Sequence, residues 1–368
     1  MKKICIVSPY SYYFFSGGKK GRVGGAELDL FLVGKYLSKF ENLSVSFAVA
    51  DFGQKKVEEY GQIKIFRSMK LKRSIWHFFI EPIKFLATIK KIDANIYVCA
   101  TAGPEVGIVC AFCKIFGKKF IYRTAHDMDC NKAYVKSHPV LGKIYEYGLL
   151  HADQVFLSVK NHEDILRETY GSKINNLIFV PYGVEVKKES AKGKKEFVLW
   201  VARGEKWKNP QLFLELVEAF PLEKFVMIMP KKIEEITFFD DIKKKALSFG
   251  NLTFIDGVPF EKIQPYFDRA KIFVNTTSYE GFTFTLLQSG MGSTPILYYN
   301  VNPDNIIPEK ELGYWANGDM GKMKKYFNKL INDPEDWRKK SSNINNYIFD
   351  NHNIEKNILI WKNLLENS

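Results

Sequence analysis

Short apolar runs of buried-strand length alternate with helical patterns from one end of this chain to the other. That alternation is the mark of parallel α/β sheets, whose strands need long crossovers and take helices for them. Runs at 4–8, 45–50, 63–66, 96–99, 120–124, 154–158 and 177–180 read as strands, with helical patterns at 27–40, 75–91, 104–116 and 161–170. A charged stretch at 186–196 has no apolar periodicity and reads as a linker. The alternation then restarts, with strands at 197–201, 224–229, 252–255, 271–274 and 295–298. Helices are expected at 210–219, 240–248 and 260–269, after Gly281, and twice more toward the C-terminus. The 368 residues suffice for two cores. The expectation is two Rossmann-like, doubly wound parallel-sheet domains, 1–186 and 187–349, with a helix at about 350–368 packing back on the first. Ligands are expected in the cleft that such domains face across.

The charge is uneven. Of a net +13, residues up to 185 hold 27 basic against 17 acidic side chains, which points the first half toward something anionic. No run of about 18 apolar residues suggests a membrane-spanning helix. The basic start Met1-Lys2-Lys3 leads only into a short apolar run, read as a first strand rather than a signal peptide. Five cysteines without disulfide-like spacing favour a reducing, cytoplasmic setting. Cys110 and Cys113 sit inside an apolar helical pattern and read as two small core residues.

Four stretches carry chemistry. Asn275 to Gly290 runs from the end of a strand, through Glu280 and Gly281, into a helix. Strand ends in open α/β sheets are where ligands bind, and helix starts offer N–H groups to phosphates. A carboxylate there repels a phosphate but suits sugar hydroxyls, so the stretch suggests a sugar and a phosphate held together. Glu280 capping the following helix is the rival reading, and for Gln288 it is a surface position. Arg203-Gly-Glu-Lys206-Trp-Lys208-Asn209-Pro210 puts three cations ahead of a helix start, which suits a diphosphate. Gly24-Gly25-Ala26-Glu27 opens a helix after strand one, where glycines allow close approach of a ligand, but it is not a dinucleotide fingerprint. His126-Asp127-Met-Asp129 follows a strand; His126 can donate to a substrate hydroxyl, with Asp127 a candidate to set its tautomer. Two carboxylates alone make a poor metal site, and no metal is expected.

Seven motifs in register along nearly the whole chain resemble those of the retaining, GT-B-fold family 4 glycosyltransferases. They are Gly24-Gly25-Ala26-Glu27, His126-Asp127, Ala152-Asp153 with Ser158, Pro181-Tyr-Gly183-Val-Glu185, Arg203 with Lys208-Asn209-Pro210, Phe254-Ile-Asp-Gly257-Val258, and Ser278-Tyr-Glu280-Gly281-Phe282. The resemblance implies that Arg203 and Lys208 bind the donor's pyrophosphate and steady the departing nucleoside diphosphate. It implies that Glu280 and His126 contact the transferred sugar, and that Gly281, Phe282 and Thr283 offer backbone N–H groups. Gly257 and Val258 fall on the donor side, and Gly24 and Gly25 in the loop near phosphate and acceptor. Three positions depart from the pattern: Gln288 stands where a ribose-binding Glu is usual, Thr283 replaces a Gly, and Met291-Gly292-Ser293 replaces a small-residue run.

The implied reaction is retaining transfer of a hexose-type sugar from a UDP- or GDP-linked donor, by front-face attack, with neither metal nor cofactor, in the making of cell-surface polysaccharide or glycan. The acceptor side falls to the first domain. Residues 64–91 there carry eight basic side chains, Lys70, Lys72 and Arg73 among them, against one acid, Glu81, interleaved with Trp76, Phe78, Phe79 and other apolar residues. A basic helix with aromatics suits an anionic membrane surface, and hence a glycan or polyprenyl-linked acceptor at the cytoplasmic face. An ordinary helix with its apolar face in the core is the plainer reading. Two other readings remain: a catalytically weakened sugar-nucleotide-binding protein, with Gln288 as the symptom, and a GT-B enzyme acting on soluble sugars. Nucleic acid is not an expected partner, because no recognition module accompanies the charge.

Overall fold

The computed structural model describes residues 1–20, 24–71, 75–186 and 193–367, and for 75–79 the backbone alone. The chain forms two compact units, Met1–Glu185 with Asn353–Ser368, and Val186–His352.

The first unit is built on β1 (Lys2–Val7), β2 (Leu43–Val49), β3 (Val57–Tyr60), β4 (Ile63–Arg67), β5 (Ile96–Ala100), β6 (Lys119–Arg123), β7 (Gln154–Leu157) and β8 (Leu177–Phe179). Their order in the sheet is β3-β4-β2-β1-β5-β6-β7-β8. Every pairing is parallel except the β3–β4 hairpin at the edge. β5 is buried at all five positions, as a strand with helices on both faces must be. Phe85, Ile89 and Ile92 of the helix Ile75–Ile92 and Val106, Val109, Cys110 and Cys113 of Pro104–Phe116 fill one side of this core. All five thiols are free and buried. The C-terminal helix Ile354–Glu366 belongs to this unit: Ile354 N–H donates to the Val184 carbonyl (3.0 Å), and the Trp361 ring packs edge-on against Phe156 (4.7 Å).

An ion pair is sealed inside the first unit. Arg123 donates from Nε to Asp29 Oδ2 (2.8 Å) and from Nη2 to Oδ1 (3.4 Å), and from Nη1 to the Val180 carbonyl. Its guanidinium lies between the Tyr182 and Trp361 rings, so one buried ion pair ties β6, the helix Gly25–Leu37, the end of β8 and the C-terminal helix together.

The second unit contains β9 (Phe197–Val201), β10 (Phe225–Ile228), β11 (Leu252–Ile255), β12 (Ala270–Asn275), β13 (Ile296–Tyr298) and β14 (Gly313–Trp315), all parallel, in the order β11-β10-β9-β12-β13-β14. Its core brings Trp200 and Val198 of β9 against Phe213, Leu214 and Val217 of the helix Pro210–Ala219. β14 is an addition to the strands expected from sequence. After β14 come three long helices rather than two, Met320–Asn332, Pro334–Asn351 and Ile354–Glu366, of which the last is in the first unit.

Candidate active site

The second sheet creates its own crevice. From β9 the chain winds outward through β10 and β11, then returns to lay β12 on the other side of β9. The loops leaving the carboxyl ends of β9 and β12 therefore part in opposite directions from neighbouring strands, the arrangement at which open α/β sheets bind ligands. Those two loops carry Arg203, Lys208 and Glu280.

Local chemistry fixes both loops. Lys206–Lys208 form a single 3₁₀ turn, Asn209 takes a left-handed conformation (φ 47°), and Pro210 starts the helix with its ring already set for the first turn. Asn209 Nδ2 donates to the Thr276 carbonyl (3.0 Å) and to Ser278 Oγ (2.6 Å). Thr276 Oγ1 donates to the Lys208 carbonyl (2.7 Å) and accepts from Trp200 Nε1 (2.9 Å). Ser278 N–H donates to the Trp207 carbonyl (3.0 Å), and the Trp207 and Tyr279 rings stack at 5.1 Å. The β9 and β12 loops are thereby a single stitched surface.

On that surface Lys208 Nζ donates to Glu280 Oε1 at 2.6 Å, with the lysine side chain 9% and the glutamate 20% exposed. The Trp207 ring lies 3.9 Å from the same ammonium. Burial pushes the Lys208 pKa down, and the Glu280 carboxylate acts against that. Glu280 is therefore not the cap of the helix Phe284–Met291. Thr283 caps it, its Oγ1 accepting from Leu286 N–H (3.1 Å), which gives a purpose to a residue that stands in place of Gly. Gly281 and Phe282 are buried just ahead of this cap, with the Phe282 ring 4.6 Å from His352.

Arg203 is more than half exposed, its Nε 3.6 Å from Glu205 Oε2. Glu205 is buried and also pairs with Lys232 from the loop after β10 (2.7 Å). Gly257 and Val258 follow β11, two strands out from β9, and Gly257 adopts φ +84° with Pro230 at its open side. Pro230 in turn accepts from Gly204 N–H (3.0 Å), so the β10 loop joins that edge to the Arg203 loop. Gln288 is 5% exposed, not a surface residue. Its helix is covered by Pro334–Asn351, where Gly290 meets Ile348, and its carbonyl accepts from Gln264 Nε2 (3.1 Å).

In the first unit β1 and β5 flank the corresponding reversal, because β2 lies on the other side of β1. Gly24, extended at φ −138°, precedes the helix Gly25–Leu37, and a Cβ on Gly24 would collide with the Glu27 carboxylate. The start of this helix is faced by its own acid, which opposes the expectation of an anion there. His126 follows β6. Its Nδ1 accepts from Met128 N–H (3.1 Å), which leaves Nε2 to carry the proton of the neutral ring. Asp129 Oδ2 accepts from the N–H groups of Ala125 (2.8 Å) and His126 (2.9 Å), and its Oδ1 from Ala102 (3.0 Å). Asp127 does not set the His126 tautomer: it pairs with His162 Nε2 (3.1 Å), whose Nδ1 meets Thr124 Oγ1 (2.8 Å). His162 is fully buried. Nothing in its sequence setting, the first turn of an amphipathic helix, marks it out.

Of the basic surface, Lys70 is exposed and its N–H donates to Glu81 Oε2 (2.6 Å). Lys72, Arg73 and the side chain of Trp76 lie outside the described residues. The helix Ile75–Ile92 buries Phe85, Ile89 and Ile92, yet Ile80, Ile83 and Leu86 are exposed, Ile83 by 68%, beside exposed Lys84, Lys90 and Lys91. No described helix is long and apolar enough to cross a membrane, and among the described residues no cluster could hold a metal ion.

Residues 184–348 match the family model "Glycosyl transferases group 1". No curated protein matches the chain. Among solved structures, the fold is similar to sucrose-phosphate synthase from Thermosynechococcus elongatus (TM-score 0.82, 16% identity, 100% of both chains covered). It is also similar to Anabaena HepE in complex with UDP and glucose (TM-score 0.76, 12%, 100% of both) and to a glycosyltransferase from Rickettsia africae (TM-score 0.70, 15%, 100% of this chain and 99% of that one). Two parallel-sheet units of this kind are the GT-B fold.

Proposed function

We propose that this GT-B protein is a glycosyltransferase of the group 1 family whose model its second unit matches, and that it moves a hexose-type sugar from a UDP- or GDP-linked donor to a glycan or polyprenyl-linked acceptor, with retention at the anomeric carbon. The observation that carries the reading is the pairing of Lys208 with Glu280 where the β9 and β12 loops diverge. As the bond from the anomeric carbon to the diphosphate breaks, negative charge grows on the departing oxygen. A partly desolvated ammonium stabilises such charge far better than one in water. Lys208 is that cation, and Arg203 supplies a second, more exposed one. With this charge provided by side chains, turnover needs neither metal nor cofactor. Glu280 accepts from the sugar's hydroxyls and His126 donates from Nε2 to the transferred sugar or its acceptor. Gly257, Val258, Gly281, Phe282, Thr283 and Gln288 line the nucleotide and sugar, and Gly24 and Gly25 border the acceptor.

The exposed Ile80, Ile83 and Leu86, flanked by Lys70, Lys84, Lys90 and Lys91, support an acceptor reached at an anionic membrane surface, with the enzyme peripheral at the cytoplasmic face. That the structure of HepE holds UDP and glucose favours a UDP-sugar as the first donor to test. Incubating the enzyme with UDP-glucose or a GDP-hexose, a lipid-linked acceptor and a chelator tests the reading. Expected is a product with the donor's anomeric configuration, unaffected by the chelator. An inverted product, or transfer abolished by chelation, overturns it.

A further inference from the structure

We infer that Glu280 sets the preference of this site for an intact nucleotide-sugar over the nucleoside diphosphate left after transfer, by competing with the diphosphate for Lys208. The inference rests on the donor-site reading above and goes further, since it concerns what happens when the sugar is gone. Lys208 Nζ lies 2.6 Å from the Glu280 carboxylate and 3.9 Å from the centre of the Trp207 ring. The carboxylate is four-fifths covered, so it does not turn freely to water. Arg203 and Glu205 also act on this lysine, the first against its charge and the second in favour of it.

A diphosphate that draws Lys208 to itself takes it from Glu280. The carboxylate is then left largely buried beside a second anion, an expensive arrangement because a covered charge that loses its partner keeps its desolvation cost. An intact donor relieves this, because its sugar hydroxyls donate to the Glu280 oxygens while the diphosphate occupies Lys208. The bare nucleotide has no such hydroxyls. Glu280 therefore favours the nucleotide-sugar on the way in and recovers Lys208 from the spent nucleotide on the way out. The Trp207–Tyr279 stack keeps the lysine within reach of both partners and limits the swing needed to pass from one to the other.

The test is Glu280→Gln, which keeps the shape and removes the competing charge, with titration calorimetry on UDP, GDP and ADP and no sugar attached. The variant is expected to bind the cognate nucleoside diphosphate about tenfold more tightly than the wild type, about the weight of one partly desolvated charge pair. Its affinity for the nucleotide-sugar should fall. A simple sugar-contacting role for Glu280 leaves bare-nucleotide affinity unchanged. Unchanged or weaker nucleoside diphosphate binding in the variant, with its melting temperature retained, overturns the inference and leaves the donor site standing. A wild type that binds none of the three nucleotides overturns the donor-site reading itself.

Discussion

Asn209 holds the β9 and β12 loops together, and two substitutions there separate its contributions. Its side-chain amide donates to the Thr276 carbonyl and to Ser278 Oγ, and its backbone is left-handed at φ 47°. Glycine adopts that conformation freely, so Asn209→Gly removes side-chain hydrogen bonds alone: the two short ones, at about 1 kcal/mol each and roughly 2 kcal/mol together, and two longer ones, to the Trp207 carbonyl (3.5 Å) and from Gln211 Nε2 (3.3 Å), that add little. Asn209→Ala removes the same bonds and adds a left-handed residue with a Cβ and no side-chain compensation, about 1 kcal/mol more. Calorimetric unfolding should rank wild type, Gly and Ala in that order. A loss of 1 kcal/mol lowers the melting temperature by roughly 2–4 °C in a unit of this size, so the alanine variant should melt about 6–12 °C lower. Both variants should also weaken nucleoside diphosphate binding, because the stitched loops hold Lys208 in the place where the diphosphate would meet it. Variants within about 0.5 kcal/mol of wild type, or alanine no worse than glycine, would refute this account of the loop.

Asp29→Asn leaves the buried Arg123 guanidinium without its counter-charge and should cost about 3–5 kcal/mol in urea unfolding of the first unit. Ile83→Asp alters an exposed position and should leave stability within about 0.5 kcal/mol, while co-sedimentation with anionic vesicles falls several-fold. Wild-type co-sedimentation that does not depend on anionic lipid would count against the membrane surface. Gln288→Glu restores a charged acceptor at a buried position, so it should lower the melting temperature without nucleotide and strengthen nucleotide binding about fivefold by calorimetry.

The α/β alternation was legible because buried parallel strands are unbroken apolar runs, as in Ile96–Ala100. β3 was not: Val57-Glu-Glu-Tyr60 lies on an exposed edge and satisfies only its hairpin partner, with Gly61 at φ +57° making the turn. β14, Gly313-Tyr-Trp315, begins on a glycine and is only partly buried at its two aromatics, so it offers no apolar run of the kind that marks the equally short β8 and β13. Arg203, Lys208 and Glu280 were legible as types of residue at strand ends. The contact between Lys208 and Glu280 was not, because it depends on β12 returning to lie beside β9 after two other strands have formed on the far side. Gln288 looks like a surface residue in its own helix, yet it is only 5% exposed, and its carbonyl accepts from Gln264, 24 positions earlier in the chain. The pairing of Asp127 with His162 rather than His126 has the same origin, since β6 and β7 bring together residues 35 positions apart.

Lys208→Ala tests the central claim most directly. With donor and acceptor saturating, removal of the ammonium that faces the leaving diphosphate should lower kcat by at least about a hundredfold, while circular dichroism at the assay temperature stays that of the wild type, although the unpaired Glu280 carboxylate lowers the melting transition. A folded Lys208→Ala enzyme that turns over at the wild-type rate would contradict the assignment of this site.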